Sequence, residues 1–154
     1  KKILRGGSYK YHATAHPFNQ KGIATGELVG GNLSLLAHMT GSKSAFTTKG
    51  KILFMEDVGE YIYNIDRMFI QLERSGVLSR LAGLIIGGFT DMKDTVIPFG
   101  ASVTEMIHAR VQKYKYPICF DFPVSHNREN YPLKVGVVHE LRVSKSGVVL
   151  KAYG

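Results

Sequence analysis

LAGLIIGGF, residues 81–89, is an unbroken apolar run bounded by glycines. It lacks the in–out alternation of a half-solvated strand, so it predicts a strand buried on both faces. Strands of that kind sit in sheets whose crossovers are helices, and both flanks supply them. Upstream, Ile65, Met68, Phe69 and Leu72 fall at i, i+3, i+4 and i+7, an amphipathic helix that Gly76 is placed to stop. Before it, Lys51–Met55 reads as a strand. Further upstream, Asn32 is a helix N-cap, Leu33, Leu36 and Ala37 give one apolar face, and Gly41 is placed to end a short helix in a left-handed turn. Downstream, TDMKDT is a polar loop. Val103, Met106, Ile107, Arg110, Val111 and Tyr114 then mark a second amphipathic helix, with Arg110 on its margin and Pro117 as its stop. Ile118–Phe122 is a third strand, SHNRENYPLKVG a loop, and His139–Val143 with Val148–Ala152 a hairpin about a Ser-Gly turn.

The order helix, strand, helix, strand, helix, strand, hairpin predicts an α/β fold with a mixed sheet. Crossover-connected strands form its core, the C-terminal β-hairpin adds antiparallel strands, and helices pack on it. Residues 1–26 are interrupted by Gly6, Gly7, Pro17, Gly22 and Gly26 and read as a linker or extended edge, leaving 27–154 as the domain proper. The length of 154 residues fits one domain with a real core. No apolar stretch approaches the ~20 residues that cross a bilayer, and the start KKILRGGSYKYH lacks the apolar run of an export signal. The first residue is not Met, as in a piece of a longer chain. The single Cys119 excludes an internal disulfide and a multi-cysteine zinc site, and suits a reducing, cytoplasmic compartment.

The net charge of +8 raises nucleic-acid binding as a function. Its distribution argues against it. Lys1, Lys2, Arg5, Lys10 and Lys21 give residues 1–22 a charge of +5 with no acid, and the rest carries only +3, scattered as on a solvated surface.

Three of the twelve acids crowd into KILFMEDVGEY, residues 51–61, where the predicted strand stops. Acids there cap a helix, hold a metal or serve catalysis. Asp57 and Glu60 read as favouring the N-terminus of the helix that follows. Glu56 is the first polar residue after the strand, at the carboxyl rim where α/β sheets form ligand crevices. His126 follows another predicted strand and occupies the same kind of rim. His12, His16, His38, His108 and His139 read as surface or satisfied histidines. A carboxylate bonded to one ring nitrogen fixes an imidazole's tautomer, and the other nitrogen then takes a proton from a nucleophile. These residues give no nucleophile: Cys119 lies inside a strand, no serine sits in a G-x-S-x-G turn, and Ser34 points along its helix. A metal site of Glu56, Asp57 and His126 lacks the spacing that would specify one. Gly30, Gly31 and Asn32 read as a loop before a helix, where free amides bind a substrate's anionic end.

Read together, LVGGNLSLL (28–36), TKGKILFMEDVGE (48–60), IDRMFIQLERSGVL (65–78), LAGLIIGGFTD (81–91), FPVSHNREN (122–130) and PLKVGV (132–137) resemble, in order and spacing, the C-terminal domain of the LD-carboxypeptidases. That family includes the microcin C self-immunity proteins. The resemblance implies a swivelling β/β/α-like domain of a two-domain serine peptidase with a Ser-Glu-His triad, and no cofactor or metal. The glutamate corresponds to Glu56 and the histidine to His126; the serine belongs to an N-terminal domain. Ser125 stands where the family pattern has glycine. The implied reaction removes the terminal D-amino acid from murein tetrapeptides in cytoplasmic peptidoglycan recycling, by a homodimer. An amidase of the microcin C type and a non-catalytic binding or dimerisation domain are the alternatives.

Overall fold

The computed structural model of the chain describes residues 7–126 and 129–153, so Lys1, Lys2, Arg5 and Gly6 of the leader lie outside the described residues. The elements run β1 (Lys10–Ala13), β2 (Gly22–Asn32), α1 (Leu33–Met39), β3 (Ile52–Val58), α2 (Ile62–Arg74), β4 (Gly83–Thr90), α3 (Val103–Val111), β5 (Ile118–Cys119), β6 (Val138–Ser144) and β7 (Gly147–Ala152). They form one mixed sheet of order β1-β7-β6-β2-β3-β4-β5. The β2, β3, β4 and β5 strands are parallel, joined by α1, α2 and α3 as crossovers, and β2 also pairs antiparallel with β6. The α/β fold read from the sequence is the observed one.

Side-chain alternation on the parallel strands feeds two cores. Leu53, Met55, Leu84 and Ile86 point to the face covered by Leu36, Ile65, Phe69, Ile107 and Val111 of the three helices. Ile52, Phe54, Ile85 and Cys119 point to the other face, where Leu141, Val143, Val148 and Leu150 of the hairpin meet them. The antiparallel half thus curls over the face that the helices leave open.

The leader departs from the expectation. Its described residues supply two strands rather than a linker: β1 is an edge strand, as one of its two readings had it, but β2 begins at Gly22 and lies between the two halves of the sheet. Gln20 also exchanges two backbone hydrogen bonds with Ile118 before the chain enters β2. Of the glycines that read as breaks, Gly26 is a site of close backbone approach: a Cβ there would stand 2.6 Å from the Gly50 carbonyl oxygen. A Cβ at Gly30 would stand 2.0 Å from the carbonyl oxygen of Phe54. Gly30, Gly31 and Asn32 therefore belong to a strand rather than a loop, in register with Phe54, Met55 and Glu56.

Two further boundaries differ. Helix α3 ends at Val111, short of Pro117, because the chain turns where the Tyr114 amide donates to the Val111 carbonyl. Strand β5 holds only Ile118 and Cys119, because Asp121 takes a left-handed backbone (φ 54°) and turns the chain off the sheet.

Candidate active site

The β3–β4 ladder is regular from Ile52↔Gly83 to Met55↔Ile86 and resumes at Asp57↔Phe89. One residue on β3, Glu56, thus opposes two on β4, Gly87 and Gly88, which form the bulge. Bulges gather beside functional sites, where they re-aim a side chain. Glu56 continues the face of Ile52 and Phe54, under the hairpin, and its side chain is 11% exposed.

The loop after β5 is laid on that bulge. The Gly88 amide donates to the Val124 carbonyl at 2.9 Å, and the Phe122 amide donates to the Ile86 carbonyl. The loop lies so close that a Cβ at Gly87 would stand 2.2 Å from the Val124 oxygen. Only glycine leaves room. Two residues on, His126 Nδ1 lies 2.8 Å from Glu56 Oε2. A carboxylate only accepts, so Nδ1 carries the proton and donates it. The imidazole is 56% exposed, and Nε2 is the nitrogen left to meet a hydroxyl. Phe54, Glu56, Val124, Ser125, His126 and Asn130 line an open cleft of 290 Å³ there. Ser125 is not among the described non-glycine residues with positive φ, so its backbone carries no left-handed strain.

Asp57 faces the opposite way. Its carboxylate is 2% exposed and sits at the start of α1, not of α2 as its place before that helix suggested. Asn32 Nδ2 (2.9 Å) and the Val58 amide (2.8 Å) donate to Oδ1; the Ser34 amide (3.1 Å) and hydroxyl (2.8 Å) donate to Oδ2. Asn32 and Ser34 lie 25 and 23 residues upstream, which no local pattern announces. Glu60 accepts from Asn64 Nδ2 on the first turn of α2, whose N-cap, Tyr61, makes no side-chain cap bond. Since Glu56 and Asp57 diverge, the metal site considered from their spacing does not form. Among the described residues no three His, Cys, Asp or Glu side chains gather as metal ligands.

At the start of α1, after Gly30, Gly31 and Asn32, the Ser34 and Leu35 amides are taken. Asn32 Oδ1 accepts from the Leu35 amide while Nδ2 serves Asp57, and the Ser34 amide serves Asp57 too. Gly31 alone of the three has open space around it: a Cβ there meets no atom within 4 Å.

The remaining reactive groups are structural. Cys119 is fully buried, and burial pushes its thiol far above the usual range. His139 is also fully buried; its Nδ1–H donates to the Val137 carbonyl and Tyr9 O–H donates to Nε2 at 2.6 Å. His108 stacks on Phe18, and His38 Nδ1–H donates to the Ser34 carbonyl.

The profile of the LD-carboxypeptidase C-terminal domain matches residues 25–141, a span that includes Glu56 and His126. A Bacillus subtilis protein named as a probable murein peptide carboxypeptidase is 29% identical over 99% of this chain, which covers 48% of that protein. The murein tetrapeptide carboxypeptidase of Pseudomonas aeruginosa is 30% identical over 75% of this chain and 37% of its own length. Among solved structures, muramoyltetrapeptide carboxypeptidase from Oxalobacter formigenes superposes with a TM-score of 0.86 at 28% identity, over 96% of this chain and 50% of that one. The chain thus spans half or less of the length of these relatives. On the profile match over residues 25–141, this chain belongs to the LD-carboxypeptidase C-terminal domain family.

Proposed function

We propose that this chain is the acid–base half of a serine LD-carboxypeptidase that removes the terminal D-amino acid from murein tetrapeptides. The observation that carries the reading is the 2.8 Å bond from His126 Nδ1–H to Glu56 Oε2 at the open carboxyl rim of the sheet. In this reading a serine hydroxyl from a preceding N-terminal domain meets Nε2. His126 takes the hydroxyl proton as the oxygen attacks the amide carbonyl, and Glu56 stabilises the imidazolium that forms. His126 then returns the proton to the departing D-amino acid nitrogen, and water repeats the cycle on the acyl-enzyme. The names of the murein-acting relatives support the substrate. The open face of Gly31 supports a place for the substrate's end beside the rim, with Gly30 and Asn32 shaping the strand beneath it. The working enzyme acts in the cytoplasm in peptidoglycan recycling, as a homodimer; a lone buried cysteine suits that compartment.

The test uses a polypeptide of the relatives' full length that carries this chain. His126→Ala is expected to lower kcat for D-alanine release by about 10³-fold or more with an unchanged circular dichroism spectrum. The 154-residue chain alone is expected to release none. Release by the chain alone, or a His126→Ala enzyme within tenfold of wild type, refutes the reading.

A further inference from the structure

Glu56 sits where β3 loses its regular pairing with β4, because the bulge at Gly87 and Gly88 removes the strand partner on that side. Its backbone is ordered on the other side by β2, through the register Asn32↔Glu56. The next residue, Asp57, is the first to regain pairing with β4, and its carboxylate collects four donors while nearly all of it is out of water. A buried carboxylate tied by several donors has one orientation, since each lost donor leaves an unsatisfied charge in a dry site. The donors come from the end of β2, from the first turn of α1 and from the residue after Asp57. One side chain therefore ties Asp57 to the elements on the side of β3 away from the bulge.

We propose that Asp57 is a positioning residue for the Glu56–His126 pair: its carboxylate supplies the anchorage that the bulge takes from β3 and so fixes the direction in which Glu56 leaves the strand. A β-strand side chain is aimed by the backbone on both sides of it. Met55 is held from below by the core, and Asp57 is held from above by α1 and Asn32. If Asp57 rotates, Glu56 turns with the shared peptide, and its oxygen leaves the line to Nδ1. The role in aiming the pair stands on the geometry; its consequence for turnover rests on the peptidase reading.

The experiment reads the His126 ring directly, by nitrogen-15 spectroscopy of the 154-residue chain at a pH where the ring is neutral. In the wild type the proton resides on Nδ1. Asp57→Asn turns an amide NH₂ toward the Ser34 amide, two donors face to face, and is expected to lower the ratio of Nδ1–H to Nε2–H tautomer about tenfold, the effect of losing one hydrogen bond to a charged group. In a Glu56→Gln background the same substitution is expected to change nothing further, because Asp57 acts through Glu56. Ser34→Ala removes only the hydroxyl donor and is expected to move the ratio about threefold in the same direction. In the full-length polypeptide, Asp57→Asn is expected to lower kcat about 10- to 100-fold with KM within about twofold, as for a catalytic group misplaced by up to ~1 Å. A lower melting temperature with an unmoved tautomer makes Asp57 a helix cap and nothing more, and overturns the proposal. Should Asp57→Asn fail to fold, an unmoved tautomer in Ser34→Ala overturns it equally. An inactive full-length wild type refutes the peptidase reading and leaves the spectroscopic arm intact.

Discussion

Gly87→Ala tests how the site is assembled, because the added methyl has nowhere to go. Its carbon would stand 2.2 Å from the Val124 carbonyl oxygen, 2.7 Å from Val124 Cγ1 and 3.2 Å from the Met55 oxygen. Such carbons essentially never come within 3.0 Å of another heavy atom, so the gap from 2.2 Å to 3.0 Å sets a displacement of about 0.8 Å. The nearest obstacle is backbone, not the end of a flexible side chain, so the displacement falls on the loop itself. That loop carries His126 two residues further on. A shift of about 0.8 Å transmitted to the ring opens the 2.8 Å bond to Glu56 to about 3.6 Å, outside hydrogen-bonding range. Overpacking of this kind costs about 1–3 kcal/mol. For a domain of this size that lowers the melting temperature by roughly 2–12 °C. Two assays follow: thermal unfolding of the 154-residue chain, and kcat of the full-length polypeptide, which is expected to fall about 100-fold for a misplacement near 1 Å. A Gly87→Ala chain that melts like the wild type, with its His126 ring still hydrogen-bonded to Glu56, refutes the argument that the bulge makes room for the loop.

Burial holds the pKa of His139 below the usual histidine value of 6.5, with the nearby Lys134 charge acting in the same direction. Above that value the ring is neutral in both folded and unfolded chains. As pH falls below it, the unfolded chain takes up a proton that the folded chain resists, so stability falls toward acid. Denaturant titrations between pH 7 and 5 are expected to show this slope, reduced in His139→Leu; an equal slope in both chains assigns it to other groups. Tyr9→Phe leaves Nε2 buried without its donor and is expected to cost about 1–3 kcal/mol at pH 7. Cys119 is expected to resist a thiol reagent such as iodoacetamide in the folded chain and to react on unfolding in denaturant; fast labelling of the native chain refutes its assignment as a sealed core residue.

Strands β3 and β4 and the helices were legible because their signals are local. The run at 81–89, the helix spacing from Ile65 to Leu72 and the cap at Asn32 each specify an element by themselves. The pair Glu56 and His126 was legible for a similar reason, since each follows an apolar run at the carboxyl rim of the sheet. What the sequence hid depends on contacts between distant segments. The β2 strand is split between two readings, because Gly22 and Gly26 put its start in a broken leader and Gly30 and Gly31 put its end in a loop. At Gly26 and Gly30 those breaks are where the neighbouring strand presses in. Asp57 reads as a cap for the helix next to it, yet its donors lie on the helix before it. The glycines of GGF mark the end of a buried run, and nothing nearby says that a loop nearly forty residues later will lie on them.

Strand β2 faces two ways in time as well as in space. Its partner on one side, β3, leaves the ribosome about two dozen residues after it, as in the register Leu28↔Ile52, so the parallel half starts to assemble early. Its partner on the other side, β6, is matched as Gly22↔Val143 and emerges about 120 residues after it. Until then β2 presents an open row of amides and carbonyls, and the face of Ile52, Phe54 and Ile85 has no hairpin over it. The nascent domain therefore passes most of its elongation with one flank adhesive, which makes prompt emergence of the β6–β7 hairpin, rather than the strength of its core, the step that guards it from aggregation.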